Sequence, residues 1–164
     1  MTWPIISARL VAASNRVLAI AAASQRVAYV FFTGTQLRDF GLSKKASKST
    51  VEAAGTAQHW INRTCPDVVV TERISDTLKG ENAQSLIEAI QRTAAQNELL
   101  DVMIQRRRRF DTKYDEGTEL AKRYPAMAHR IPVFRPFYDP EPRDAVFIDA
   151  LVLAEEVINA SDQA

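Results

Sequence analysis

Two apolar runs separated by a three-residue polar break constrain this chain most: Val17–Ala23 (VLAIAAA) and Val27–Phe32 (VAYVFF), with Ser24, Gln25 and Arg26 between them. Each falls far short of the ~18–20 apolar residues that span a bilayer. Each has the length of a strand, and the second is rich in residues that pack well on a pleated surface. Two such runs around a polar turn specify a hairpin, with strands over Arg16–Ala22 and Val27–Thr33. Arg9 and Arg16 ahead of the small-residue run faintly resemble a secretory leader. The run lies far from the first residue, however, and the second run follows closely, so the hairpin is the better reading.

Gly34 and Thr35 turn the chain into a third strand, Gln36–Leu42, which completes a three-strand antiparallel meander. A polar link containing Lys44, Lys45 and Lys48 leads to Ser49 or Thr50, either of which suits the N-cap of a helix ending near Arg63. Ala53, Ala57, Trp60 and Ile61 share one face of that helix. After Pro66, Asp67–Glu72 (DVVVTE) has the short, continuous apolar pattern of a buried parallel strand. A helix over Glu81–Asn97 carries the stripe Leu86, Ile87, Ile90 and Ala94, and Leu99–Ile104 reads as a fifth strand running into Arg106–Arg109. A helix over Asp111–Met127, with Leu120, Tyr124 and Met127 on one face, should bend or end at Pro125. The last helix, from about Pro142 to Asn159, is apolar nearly all round its middle and must be buried against the sheet. The order βββαβαβαα predicts one α/β domain over residues 16–160, a mixed five-stranded sheet flanked by helices, with residues 1–15 as an N-terminal extension.

Composition agrees with a globular chain. Of 164 residues, 46% are hydrophobic and 25% charged, with 21 Lys and Arg against 20 Asp and Glu. That excludes a fibrous, disordered or polybasic protein. The near-zero balance hides a split. Residues 1–66 hold eight basic and two acidic side chains (+6), which leaves 13 basic and 18 acidic (−5) for residues 67–164. Such a split suits a side facing a polyanion joined to an acidic site. Cys65 is the only cysteine, so no internal disulfide or cysteine metal cluster exists and a reducing, cytoplasmic setting is favoured.

Three segments carry a family resemblance. Val17–Phe32 resembles the first hairpin of the ribonuclease H-like superfamily, especially RuvC-type Holliday-junction resolvases. Asp67–Glu72 resembles that family's central strand, which ends in a catalytic Glu. Asp149–Ala154 (DALVLA) resembles the signature of its C-terminal helix. The resemblance spans nearly all of residues 16–159 and implies a ribonuclease H-like sheet, a carboxylate site for Mg²⁺ or Mn²⁺, DNA as partner and a homodimer. Two-metal hydrolysis of a phosphodiester needs clustered carboxylates that hold two ions about 3.5–4 Å apart, and hard divalent ions prefer such oxygen donors.

The sequence departs from this pattern at two of about four positions. The resemblance places the first-strand Asp at Ala21, followed by a turn read as Ala22-Ala23-Ser24. It places a further helix acid at Val146. Glu72 and Asp149 remain as the implied catalytic and metal-binding pair, vestigial or weak. Glu141 lies at the helix entry and can approach them. Asp144 is a further metal-ligand candidate that could replace a missing acid, although it diverges from Asp149 by about 140° around a helix and also suits a first-turn acid favoured by the macrodipole.

Outside the carboxylates, Arg26, Lys44, Lys45, Lys48, Arg106 and Arg108 are candidates to bind nucleic acid, Arg through its bidentate fork. Adjacent arginines on a strand alternate sides, so at most two of Arg106–Arg109 address one backbone; a solvated strand end, offset by Asp111, Asp115 and Glu116, is the plain alternative. No glycine-rich phosphate loop or HExxH pattern is present, and Cys65 has no histidine nearby in sequence. The reading is a catalytically impaired resolvase homologue that binds branched or structured DNA. An active Mg²⁺- or Mn²⁺-dependent endonuclease, an engineered Ala21 and a non-catalytic scaffold remain as alternatives.

Overall fold

The computed structural model describes residues 16–77, 79–106, 110, 112–132 and 143–162. Five strands, β1 (Arg16–Ala23), β2 (Arg26–Thr33), β3 (Gln36–Ser43), β4 (Val68–Glu72) and β5 (Leu100–Ile104), form one sheet in the order β3-β2-β1-β4-β5. The helices are α1 (Thr50–Thr64), α2 (Glu81–Gln96), α3 (Lys113–Arg123) and α4 (Val146–Asp162). β1, β2 and β3 are the antiparallel meander, whereas β4 pairs parallel to β1 (Val17↔Val68) and β5 parallel to β4 (Val68↔Leu100). The mixed sheet and its element order are those the sequence predicts.

The central position of β1 explains its unbroken apolar run, because a strand covered on both faces needs no polar alternation. Val17, Ala19 and Ala21 face one core with Val30, Phe32, Val68, Val70 and the buried side of α4. Leu18, Ile20 and Ala22 face the other with Tyr29, Phe31, Trp60, Leu86, Ile87 and Ile90, so α1 and α2 cover that face. α4 is apolar all round because β1 and β2 lie beneath it while Leu120, Met127 and Ile131 close over it. Its buried Glu155 is held by Arg123 and by the Tyr124 hydroxyl at 2.6 Å.

Several boundaries move. Ala22 and Ala23 belong to β1, and the turn is Ser24-Gln25. The helix expected to reach Met127 ends at Arg123, and Pro125–Arg130 continues as a 3-10 turn, as a proline that cannot donate to the helix ladder requires. The last helix begins at Val146 after a 3-10 turn over Arg143–Ala145, and residues 141–142 lie outside the described residues. The Lys45–Lys48 link is also a 3-10 turn, after which Ser49 caps α1 by accepting from Glu52 N at 3.1 Å. No helix among the described residues is long and apolar enough to cross a membrane.

Candidate site: buried carboxylates held by three cations

The site gathers where the parallel strands end, the usual place for a site in such sheets. Ala21, at 1% exposure, lies near the end of β1 and contributes only a methyl group. Pairing of β1 with β4 ends at Ala19↔Val70; beyond it, the Ala22 carbonyl accepts from Lys79 Nζ at 2.7 Å. Glu72 closes β4. Strand alternation from Val68 and Val70 turns its side chain toward α4, and it is buried at 2% exposure.

Lys79, in the loop between β4 and α2, joins the two carboxylates. Its Nζ lies 3.1 Å from Glu72 Oε1 and 3.3 Å from Asp149 Oδ2. The contact to Glu72 Oε1 is an ion pair without hydrogen-bond geometry, and this oxygen has no hydrogen-bond partner among the described residues. Glu72 Oε2 accepts from the Thr77 hydroxyl. Asp149 Oδ1 accepts from Arg106 Nε at 3.0 Å, and Oδ2 from Lys113 Nζ at 3.2 Å. Arg106 Nη2 also donates to Glu116 Oε1 at 2.8 Å, and Glu116 is itself buried. Burial alone pushes the Asp149 carboxyl up, but Lys79, Lys113 and Arg106 together outweigh it and hold the group well below the usual carboxylate range.

The cluster therefore sets three carboxylates against three cations. A close approach makes the last part of it: a Cβ on Gly117 would meet Pro132 O at 2.8 Å and Ile148 Cδ1 at 3.0 Å. Glycine there lets α3 lie against α4, which brings Lys113 and Glu116 to Asp149 and Arg106.

The residues present do not fit a divalent-metal pair. Ala21 has no oxygen to offer, and the facing oxygens of Glu72 and Asp149 already share one ammonium. No group of three or more His, Cys, Asp or Glu side chains arranged for a metal occurs among the described residues.

The structure brings Glu72 and Asp149 together, as the sequence reading expects, but on Lys79. Asp144 is engaged instead by Arg130, through Nε at 3.0 Å and Nη2 at 3.2 Å, and that guanidinium stacks over Phe147. Val146 is core. Arg106, read as a phosphate-binding candidate at a solvated strand end, instead turns inward onto Asp149 and Glu116, because two buried acids need compensating charge. Glu141 and Arg108 lie outside the described residues. β1, β3, β4 and β5 run one way and β2 the other. Arg26 at the start of β2 and the exposed Lys44, Lys45 and Lys48 after β3 are therefore at the same end of the strands as the cluster, with β3 the edge strand opposite β5. Lys45 lies 3.7 Å from Glu52. Lys79, Lys113 and Thr77 escape the sequence reading, and Glu116 enters it only as an acid offsetting a solvated strand end; the one available signal is that two buried carboxylates without a third ligand require cations.

No family profile and no curated protein matches the sequence. Solved structures do. RuvC of Thermus thermophilus in complex with a Holliday junction substrate matches with a TM-score of 0.53 at 12% identity, over 88% of this chain and 94% of that one. RuvC of the same organism in a further structure gives 0.53 at 11% identity, over 88% of this chain and 95% of that one. The yeast mitochondrial Holliday junction resolvase gives 0.52 at 10% identity, over 92% of this chain and 80% of that one. With its β3-β2-β1-β4-β5 sheet and covering helices, this chain has the ribonuclease H-like, RuvC-type fold.

Proposed function

We propose that this protein binds branched or structured DNA as a resolvase-like homologue without metal-dependent cleavage. The observation that carries the reading is the Lys79 ammonium, which lies 3.1 Å from Glu72 and 3.3 Å from Asp149, between carboxylates that two-metal hydrolysis would need free. A nuclease of this type uses divalent ions to stabilise the attacking and leaving oxygens. A monovalent ammonium fixed by its own chain offers no open coordination position for either oxygen.

DNA is the favoured partner for two reasons. One similar structure was solved with a Holliday junction substrate. In addition, Arg26, Lys44, Lys45 and Lys48 stand at the end of the strands where the cluster also lies, and cationic side chains there can follow a phosphate backbone. The binding domain in this reading is residues 16–160, with 1–15 as an extension. It acts as a homodimer in a cytoplasmic setting, in keeping with an exposed free Cys65. Mg²⁺ or Mn²⁺ belongs only to the rival reading of an active endonuclease, which needs Glu141 or Asp144 to replace the missing ligand.

The test is a pair of assays on the full chain. Fluorescence anisotropy with a four-way junction, a duplex and a single strand at about 50 and 200 mM salt should show junction binding that weakens steeply with salt, as counterion release demands. Incubation of the same junction with Mg²⁺ or Mn²⁺ should leave it intact. Turnover that Glu72→Gln or Asp149→Asn abolishes would overturn the loss of catalysis. Absence of binding at low salt would overturn the DNA reading and favour a scaffold.

A further inference from the structure

The surroundings of Lys79 are built as a site on both sides of its backbone. Its amide N–H donates to Thr77 Oγ1 at 3.2 Å, and the same Thr77 hydroxyl donates to Glu72 Oε2. Its carbonyl accepts from Gln84 Nε2 at 2.7 Å. At the second residue of α2, Asn82 Nδ2 donates to Ser24 O at 2.8 Å, which ties the helix start to the β1–β2 turn. The loop is thus fastened to β4, to the hairpin and to α2, and the side chain it carries is only 19% exposed.

The side chain ends among oxygens from three separate elements. Ala22 O of β1 is 2.7 Å away, Glu72 Oε1 of β4 3.1 Å and Asp149 Oδ2 of α4 3.3 Å. An oxygen shell around one centre of positive charge is what a hard cation requires, and Mg²⁺ would demand it at about 2.0–2.1 Å. An ammonium accepts a similar shell at about 3 Å, here through one hydrogen bond to Ala22 O and two ion pairs to Glu72 and Asp149. Arg106 and Lys113 supply the rest of the charge that Asp149 needs, so a single positive charge suffices at the centre.

We infer that Lys79 is the resident cation of this site: its ammonium takes the place of a divalent ion, and the chain is stable without metal and excludes it. The inference rests on the reading of the site as non-catalytic but makes a separate claim, about what neutralises the carboxylates. Without Lys79, Glu72 and Asp149 would face each other with less compensation, a repulsion that an added divalent ion relieves. Excess negative charge at the cluster is therefore the condition under which a metal response should emerge.

The experiment measures thermal unfolding of the full chain in EDTA and in MnCl₂, together with Mn²⁺ binding followed by the electron paramagnetic resonance signal of the free ion. Wild type should bind no Mn²⁺ in a manner that Asp149→Asn removes, and its Tm should be the same in both buffers. Lys79→Met should lower Tm in EDTA by several degrees and regain part of that loss in MnCl₂. Lys79→Met combined with Glu72→Gln, which removes one charge of each sign, should show no such recovery. Wild type that binds Mn²⁺ through Asp149, or a folded Lys79→Met without a Mn²⁺ response, overturns the inference. Should Lys79→Met fold in neither buffer, wild-type Mn²⁺ binding decides alone: none supports the inference, and Asp149-dependent binding defeats it. DNA binding measured in EDTA is an independent readout, so failure of the DNA reading and failure of this inference are told apart.

Discussion

Arg106 and Glu116 meet at 2.8 Å, both largely buried, and the same guanidinium donates to Asp149 at 3.0 Å. One side chain after β5 thereby links α3 to α4. Removing one partner of a buried ion pair leaves an uncompensated charge and costs about 3–5 kcal/mol. Arg106→Met should destabilise by that amount in urea unfolding, because Asp149 and Glu116 lose a shared donor together. Arg106→Lys should not restore stability, since an ammonium cannot reproduce a planar fork that reaches two carboxylates. A double-mutant cycle of Arg106→Met with Glu116→Gln should give a coupling of about 0.5–3 kcal/mol.

This arrangement also marks where the sequence stops being legible. The strands, their order along the chain and the nearly all-apolar middle of α4 follow from periodicity, because each signal lies within one element. Asp149 is readable because a carboxylate inside an apolar run needs a partner, whereas Glu72 is readable only through the family resemblance, since an acid that ends a strand commonly meets solvent. Lys79, Lys113 and Glu116 carry no local signal. They lie in a polar loop and on an amphipathic helix, and only tertiary packing, with Gly117 against Pro132 and Ile148, turns them inward. The run Arg106–Arg109 has no period that singles out Arg106. The +6/−5 split misleads on one point: Lys79, Arg106 and Lys113, which neutralise the acids of the cluster, all lie in the acidic half.

Gly117→Ala tests the close approach directly. In an exposed helix interior, alanine would be favoured over glycine by about 1 kcal/mol. Here the new Cβ would stand 2.8 Å from a backbone carbonyl, Pro132 O, and 3.2 Å from Ile131 Cγ2, and backbone gives way less readily than a side-chain tip. We expect a net destabilisation of about 1–3 kcal/mol, the range for overpacking a tight contact. The measurement is the urea midpoint; an unchanged or raised midpoint would show that α3 moves freely and does not fix Lys113 and Glu116.

Asp101 on β5 gives a pH signature of opposite sense to that of Asp149. Burial pushes its carboxyl up to about 6, against one hydrogen bond from Thr71 that lowers it. The Thr71 hydroxyl accepts from Gln91 Nε2 and donates to Asp101 Oδ1 at 3.1 Å, while Oδ2 has no hydrogen-bond partner among the described residues. A folded-state pKa above the unfolded value of 3.8 means that the native state holds the proton more tightly. Stability from this group therefore falls as pH rises from about 4 to about 6 and stays low above. At about 1.4 kcal/mol per unit, and allowing for partial exposure, Asp101→Asn should gain about 1–2 kcal/mol at pH 7 and almost nothing at pH 4. Urea unfolding across that range checks it, and a gain that does not depend on pH would refute the assignment.

Lys44 and Lys48 decide whether the basic end of the sheet touches phosphate. Both are exposed, whereas their neighbour Lys45 lies 3.7 Å from Glu52 and so has a competing partner. An exposed lysine in a 3-10 turn contributes little to folding, so Lys44→Gln with Lys48→Gln should leave Tm unchanged. If each side chain neutralises one phosphate, the pair should reduce the slope of log K against log salt by about 2 and weaken junction and duplex binding alike, because a phosphate contact reads no sequence. Lys45→Gln should change the slope by less. An unchanged slope in the double variant would place the DNA path elsewhere, since counterion release counts phosphate contacts whatever their geometry.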